Sequence, residues 1–327
     1  VGQADQRIYR QELAGGAARP ITPAFGAAAS PAVSPDGRWV AYVHTYEDTD
    51  TIAIVDAQGV HWPRRLAQGR DFYMQPAWRP DGAMLGWVEW DHPRMPWDGT
   101  ELKVASLTFP EGDLPRVATA RTIAGDERTA IFQCVFSTDG RSVLYVSDET
   151  GWGHIYRQDL ETGETVQLTS GDVEFGWPAW AQGIRTFTET ASGTVVGIRQ
   201  REGFHTLVAV SRDGAVHDLS HLHQGFTSFT APAAAPGREE VAVLATCGKQ
   251  PPRILSLDLA AVAPMATTIR RSDSESVAHG ALSTPEPVAW TSFDGAEAYG
   301  LYYPPASERF EGLGAPPLIV LVHGGPT

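Results

Sequence analysis

Apolar and polar positions alternate along this chain in short runs, and no stretch keeps the spacing of a long amphipathic helix. Three runs share one frame. Ser34-Pro35-Asp36-Gly37-Arg38 leads into an aromatic-rich strand over 39–43, Arg79-Pro80-Asp81-Gly82 into 83–88, and Ser137-Thr138-Asp139-Gly140-Arg141 into 142–146. Asp-Gly favours a hairpin turn because glycine accepts the positive φ such turns require. A short strand precedes each turn, over 31–33, 76–78 and 133–136. A third strand follows, over 51–55, 101–105 and 154–157, and a fourth closes toward a Leu-Thr or Leu-Ala pair, as over 165–169.

Two further units are degenerate. One is expected to start at Trp177-Pro178-Ala179-Trp180, with Gly183 in the turn, and to continue over 193–198 and 206–210. The other starts at Phe229, turns at Pro236-Gly237, and continues over 240–244 and 253–257. At the front, 6–10 and 19–22 read as the outer two strands of a unit whose inner half is missing. About six four-stranded units at a period of roughly 40–58 residues predict a mainly β fold, a β-propeller, whose blades bury their faces against each other. A truncated first blade implies upstream residues and seven blades in the intact protein. From Ala278 the pattern changes to a hairpin over 285–303, an irregular loop, and an apolar run over 318–322 that reads as a buried strand. The expected division is therefore a propeller over 1–275 and the start of a second domain over 276–327.

Composition narrows the function. A net charge of −14 argues against nucleic acid and an anionic membrane surface as partners, and suits solubility or a cationic ligand. Cys134 and Cys247 read as buried free thiols, no zinc-ligand spacing occurs, and no cofactor or metal is expected. No apolar stretch approaches a bilayer span. The first residues carry neither an initiator Met nor a hydrophobic targeting segment. The protein is therefore expected to be cytoplasmic, with an incomplete N-terminus leaving secretion open.

The apolar run at 318–322 enters His323-Gly324-Gly325-Pro326. Together with Phe293-Asp294-Gly295, Gly300-Leu301-Tyr302-Tyr303-Pro304 and the segment from Trp90 to Leu102, this order of motifs resembles the prolyl oligopeptidase family of serine peptidases. It is most similar to the subgroup of acylaminoacyl peptidases and dipeptidyl-aminopeptidase-like enzymes. The resemblance implies that 276–327 begins an α/β-hydrolase domain, and that a Ser-His-Asp triad cleaves peptides by acyl transfer. It also implies that the N–H of Gly325 serves the oxyanion hole, with His323 and Gly324 in the same loop. Relatives with Tyr in place of His323 use its hydroxyl, a role that does not transfer to His323. No Gly-x-Ser-x-Gly elbow occurs in the chain, so the triad is expected downstream, in the remainder of the hydrolase domain.

The resemblance implies that the propeller restricts access to short substrates. One candidate reader is the insertion holding Trp90, Asp91, Met95, Trp97, Asp98 and Glu101, whose carboxylates could pair with an α-ammonium and whose aromatics offer a cation–π face. Its plainer reading is a turn at Asp98-Gly99 with tryptophans packing the blade. The second candidate is Asp172 with Glu174, which strand alternation would set on one side as an amine clamp. Its plainer reading is a solvated acidic loop. Arg70 and Arg94 are lesser candidates for a carboxylate or carbonyl, and Asp148-Glu149 reads as a structural turn. The expected activity is that of a serine exopeptidase or oligopeptidase acting on short peptides or aminoacyl amides with a free N-terminus. The alternatives are an acylaminoacyl peptidase and a non-catalytic propeller that binds a protein partner, and a homo-oligomer is compatible with each.

Overall fold

The computed structural model describes residues 1–223, 225–261, 265–322 and 324. Among them, regular structure is almost entirely strand, with two single 3-10 turns at Ser220–Leu222 and His279–Ala281. Strands β1 (Tyr9–Arg10) and β2 (Arg19–Pro20) pair with each other. Five four-stranded antiparallel sheets follow in chain order. Sheet I holds β3 (Ala27–Val33), β4 (Trp39–Tyr46), β5 (Thr49–Asp56) and β6 (Arg64–Ala67). Sheet II holds β7 (Phe72–Trp78), β8 (Met84–Trp90), β9 (Glu101–Thr108) and β10 (Arg116–Ala124). Sheet III holds β11 (Ile131–Phe136), β12 (Ser142–Ser147), β13 (His154–Asp159) and β14 (Thr165–Gln167). Sheet IV holds β15 (Phe187–Glu189), β16 (Val195–Arg201), β17 (Phe204–Val210) and β18 (Val216–Asp218). Sheet V holds β19 (Ser228–Ala234), β20 (Glu240–Cys247), β21 (Gln250–Asp258) and β22 (Ala266–Arg271). A hairpin of β23 (Glu286–Thr291) and β24 (Glu297–Tyr302) comes last.

Every sheet runs in simple up-and-down order, because each connection is short enough for a hairpin. The Asp-Gly turns behave as the sequence predicts: Gly37, Gly82 and Gly140 all have φ near +70°. In the first of these turns Asp36 accepts from Ser34 Oγ (2.6 Å) and from the Arg38 N–H (3.1 Å). In the third, Asp139 accepts from Ser137 Oγ (2.7 Å) and from the Arg141 N–H (3.1 Å).

The sheets pack face to face in sequence, with first strands meeting along one side, the arrangement of propeller blades. Apolar side chains fill the spaces between sheets. Tyr73, Leu85 and Trp87 of sheet II meet Val43 and Ile52 of sheet I, and Val146 and Ile155 of sheet III share a core with Phe187 and Val195 of sheet IV. Each such fully buried side chain contributes about 1.5–3 kcal/mol. Polar stitches add register between neighbours. Trp78 Nε1 donates to the Ala32 carbonyl at 2.9 Å, and buried Glu189 accepts from the Thr138 N–H at 2.6 Å and from Arg157 at 3.2 Å.

The first strands hold a feature that periodicity does not show. β3, β7, β11 and β19 each carry a bulge, with Ser30, Gln75, Gln133 and Ala231 at φ of 50–57°. At two of these bulges the side chain is a buried glutamine. Gln133 donates to the Phe187 carbonyl (2.7 Å) and accepts from the Thr186 N–H (2.8 Å). The Gln133 N–H in turn donates to Gln75 Oε1 (2.7 Å). Three sheets are thereby joined by one chain of side-chain bonds.

The structure corrects three expectations. Sheet IV does not begin at Trp177-Pro178-Ala179-Trp180. That segment is irregular, Pro178 has no N–H to donate, and Trp180 is exposed. The inner strand is β15, and its turn lies at Gly193 rather than Gly183, closed by the Gly193 N–H on the Thr190 carbonyl (3.0 Å). The run 318–322 is neither strand nor buried, since no strand among the described residues pairs with it and all five side chains are exposed. Cys134 is buried as expected, while Cys247 is half-buried; both are free.

Candidate functional site

Connections between second and third strands of three successive sheets meet at one end of the molecule. Pro96 and Trp97 come from the β8–β9 insertion, Asp148, Gly151 and Gly153 from the β12–β13 turn, and Gln200 from the end of β16. Between them lies an open cavity of about 390 Å³. Its floor is apolar, with Phe132 and Val146, and the segment that crosses from sheet III to sheet IV adds Glu174 and Trp177.

Glu174 is held by a single bridge to Gln200, each N–H donating to the other's carbonyl (3.1 and 2.8 Å). Its Oε1 accepts from the Gly176 N–H at 2.8 Å. Two glycines make room for this carboxylate. A Cβ at Gly153 would lie 2.0 Å from Glu174 Oε1, and one at Gly176 would lie 3.1 Å from it. Asp148 Oδ1 accepts from the Ala130 N–H at 2.7 Å. Neither carboxylate has an ion-pair partner among the described residues. Burial pushes the Glu174 carboxyl above the ordinary range, and the charge of Asp148 adds to the shift against the N–H groups of Gly176 and Gly153. Burial likewise raises Asp148, with the Ala130 N–H opposing and the charges of Asp126 and Glu149 adding. Partly desolvated carboxylates with spare lone pairs, set beside indole rings, can accept a cation.

The two candidate segments from the sequence therefore converge, through one of the singled-out residues each, Trp97 and Glu174. Trp97 lines the cavity and packs against Trp180, ring centroids 4.4 Å apart. Glu174 lines it too, but Asp172 is exposed and outside the lining. The segment is not a strand, so alternation does not bring Asp172 beside Glu174.

The remaining insertion residues sit elsewhere. Trp90 is buried and stacked on Phe72, centroids 5.2 Å apart. Asp98 is exposed and closes its own turn by accepting from the Met95 N–H at 2.8 Å, with Met95 exposed beside it. Asp91 and Glu101 are both bound by Arg70, at 2.6 and 2.9 Å, and Arg70 also reaches buried Glu89 at 3.3 Å. Burial opposes ionisation of Asp91, but Arg70 and the Asp71 N–H hold its carboxyl below the ordinary range. For Glu101 burial is likewise outweighed, by Lys103 and Thr122. Arg70 is thus a structural hub, and Arg94 pairs with Glu127 at 3.1 Å.

Asp148, Trp177 and Gln200 join the site without being singled out from sequence as ligand-facing. Asp148 does open a turn, as its sequence context suggests, with its carbonyl accepting from the Gly151 N–H (2.8 Å), while its side chain reaches Ala130 and lines the cavity. His323 and Gly325 lie outside the described residues, and Gly324 is exposed. No group of three or more His, Cys, Asp or Glu among the described residues is placed to hold a metal ion. Among the described residues, no helix is long and apolar enough to cross a membrane.

No family model and no curated protein matches the chain. Solved structures do. A puromycin-hydrolysing peptidase of Mycobacterium tuberculosis shares 25% identity at a TM-score of 0.81, over 93% of this chain and 48% of that one. A puromycin hydrolase shares 30% identity at a TM-score of 0.81, over 95% of this chain and 48% of that one. Prolyl oligopeptidase B from Galerina marginata, at 13% identity, shares the fold with a TM-score of 0.58, over 84% of this chain and 46% of its own. The chain thus spans about half the length of these peptidases. Its stacked four-stranded sheets and these matches give it a propeller fold like that found in part of the puromycin-hydrolysing peptidases and of prolyl oligopeptidase B.

Proposed function

We propose that this chain is the substrate-reading propeller of a serine peptidase that hydrolyses short peptides or aminoacyl amides bearing a free amino terminus. The observation that carries this reading is the pair Glu174 and Asp148, which line one cavity with no cationic partner among the described residues. An α-ammonium would supply the missing charge and donate to both. A blocked N-terminus would leave both carboxylates uncompensated, which weighs against the acylaminoacyl alternative. Puromycin, the compound named for two of the matched structures, is itself an aminoacyl amide with a free amine. Hydrolysis would fall to a Ser-His-Asp triad in a hydrolase portion, with His323-Gly324-Gly325-Pro326 contributing the Gly325 N–H to the oxyanion.

The test is steady-state hydrolysis by the protein carrying that portion. Glu174→Gln should raise KM for an aminoacyl anilide roughly 10- to 100-fold, the range for a hydrogen bond to a charged group. KM for the N-acetyl counterpart should barely move. Equal effects on both substrates would remove the amine role.

A further inference from the structure

Residues 175–186, between the bridge at Glu174 and the start of β15, join no strand ladder. They meet instead the free edge of β7, the end strand of sheet II. An end strand leaves backbone groups unpaired along that edge. Two glutamine side chains make the connection. Gln182 Nε2 donates to the Tyr73 carbonyl at 2.8 Å, and Gln75 Nε2 donates to the Ile184 carbonyl at 3.1 Å, each across 109 positions of sequence. Only the NH2 end of an amide can meet a carbonyl, so both amides have a fixed orientation. Between the pinned end and Glu174, Ala179 is buried in the core shared by sheets II to IV, and exposed Trp180 packs on Trp97. Neither Gln182 nor Trp180 lines the cavity. The run they belong to nevertheless supplies Trp177 to it, follows directly on Glu174, and reaches Trp97 of the β8–β9 insertion through Trp180. Pinning the run at 182 and 184 therefore fixes Glu174 and Trp177 against Trp97.

Resting on the amine reading above, we infer that Gln182 and Gln75 are positioning residues. Their two amide bonds hold 175–186 as a strap against β7, and the strap sets the cavity wall that receives a free-amine aminoacyl compound. A wall held in place beforehand spares the ligand the cost of ordering it.

The test pairs circular dichroism with calorimetric titration of the chain by phenylalaninamide. Two indoles with centroids 4.4 Å apart and planes tilted by 52° couple their transitions and give a dichroic couplet. Trp180→Leu identifies that signal by deleting it, at an exposed position where folding is unaffected. Gln182→Met keeps the side-chain length and removes the donor. It is expected to lose most of the couplet and to bind phenylalaninamide about tenfold more weakly. Trp180→Leu should weaken binding to a similar degree, and supplies this readout if Gln182→Met does not fold. A Gln182→Met protein with the original couplet and affinity overturns the inference. So does a lost couplet with unchanged affinity, because the strap then moves without setting the cavity, and so does unchanged affinity in Trp180→Leu. If the unaltered chain binds no phenylalaninamide, the amine reading fails by itself. The couplet then decides the strap alone: its loss in Gln182→Met upholds Gln182 as the pin, and its persistence overturns that too.

Discussion

Glycine at position 153 is a direct lever on the site. An added methyl would fall 2.0 Å from Glu174 Oε1 and 3.1 Å from the Gly176 amide nitrogen, so the carboxylate has to leave its position. Gly153→Ala is therefore expected to weaken free-amine binding about as much as Glu174→Gln does, a comparison one titration series makes. The pH dependence follows from the raised carboxyls. Their folded-state pKa values lie above the unfolded ones, so each contributes stability that is present below the unfolded pKa and lost as pH rises through the folded one. Glu174→Gln should flatten that part of the stability profile, read by urea denaturation between roughly pH 4 and 7. Amine binding has the opposite sense, because it needs the carboxylate. Affinity should fall as pH drops through the region just above the ordinary carboxylate range. An amine affinity that is flat with pH would count against Glu174 as the acceptor.

At the scale of elements, the hairpins were legible and the joints between them were not. Pro-Asp-Gly turns with flanking alternation located β3 to β5, because those signals are local. The bulges at Gln75 and Gln133 leave no local signal, since their worth lies in bonds to sheets that are distant in sequence. Gln133→Leu would orphan the Thr186 N–H and the Phe187 carbonyl inside the molecule, at a cost of roughly 3 kcal/mol. A shift in the urea midpoint measures it, and a loss under about 0.5 kcal/mol would show that these bonds are replaceable. Arg70 is a similar joint. The sequence shows acidic residues around Trp90, whereas the structure shows Asp91 and Glu101 already paired with Arg70, with Lys103 also on Glu101. Arg70→Met should destabilise by roughly 1–3 kcal/mol, because Glu89 stays buried beside it. Free-amine affinity should not change. Tighter binding in that variant would place the amine at Asp91 and Glu101 instead.

For the whole molecule, the repeat announced a propeller while only half of the site could be read ahead. Glu174 and Trp97 stand out as acid and aromatic in non-repeating segments. Asp148 hides inside an ordinary turn, and Trp177 inside what resembles a strand. What unites them is that the second-to-third strand connections of sheets II to IV gather at one end, a consequence of stacking sheets in sequence. The central claim is that this gathering forms an amine-reading cavity. A crystal structure of the chain with phenylalaninamide tests it most directly. The amine nitrogen is predicted within about 3 Å of a Glu174 carboxylate oxygen, the length of a charge-assisted hydrogen bond, with Asp148 as its second neighbour. A ligand seated elsewhere, or one that turns its amine to solvent in this cavity, would contradict the account.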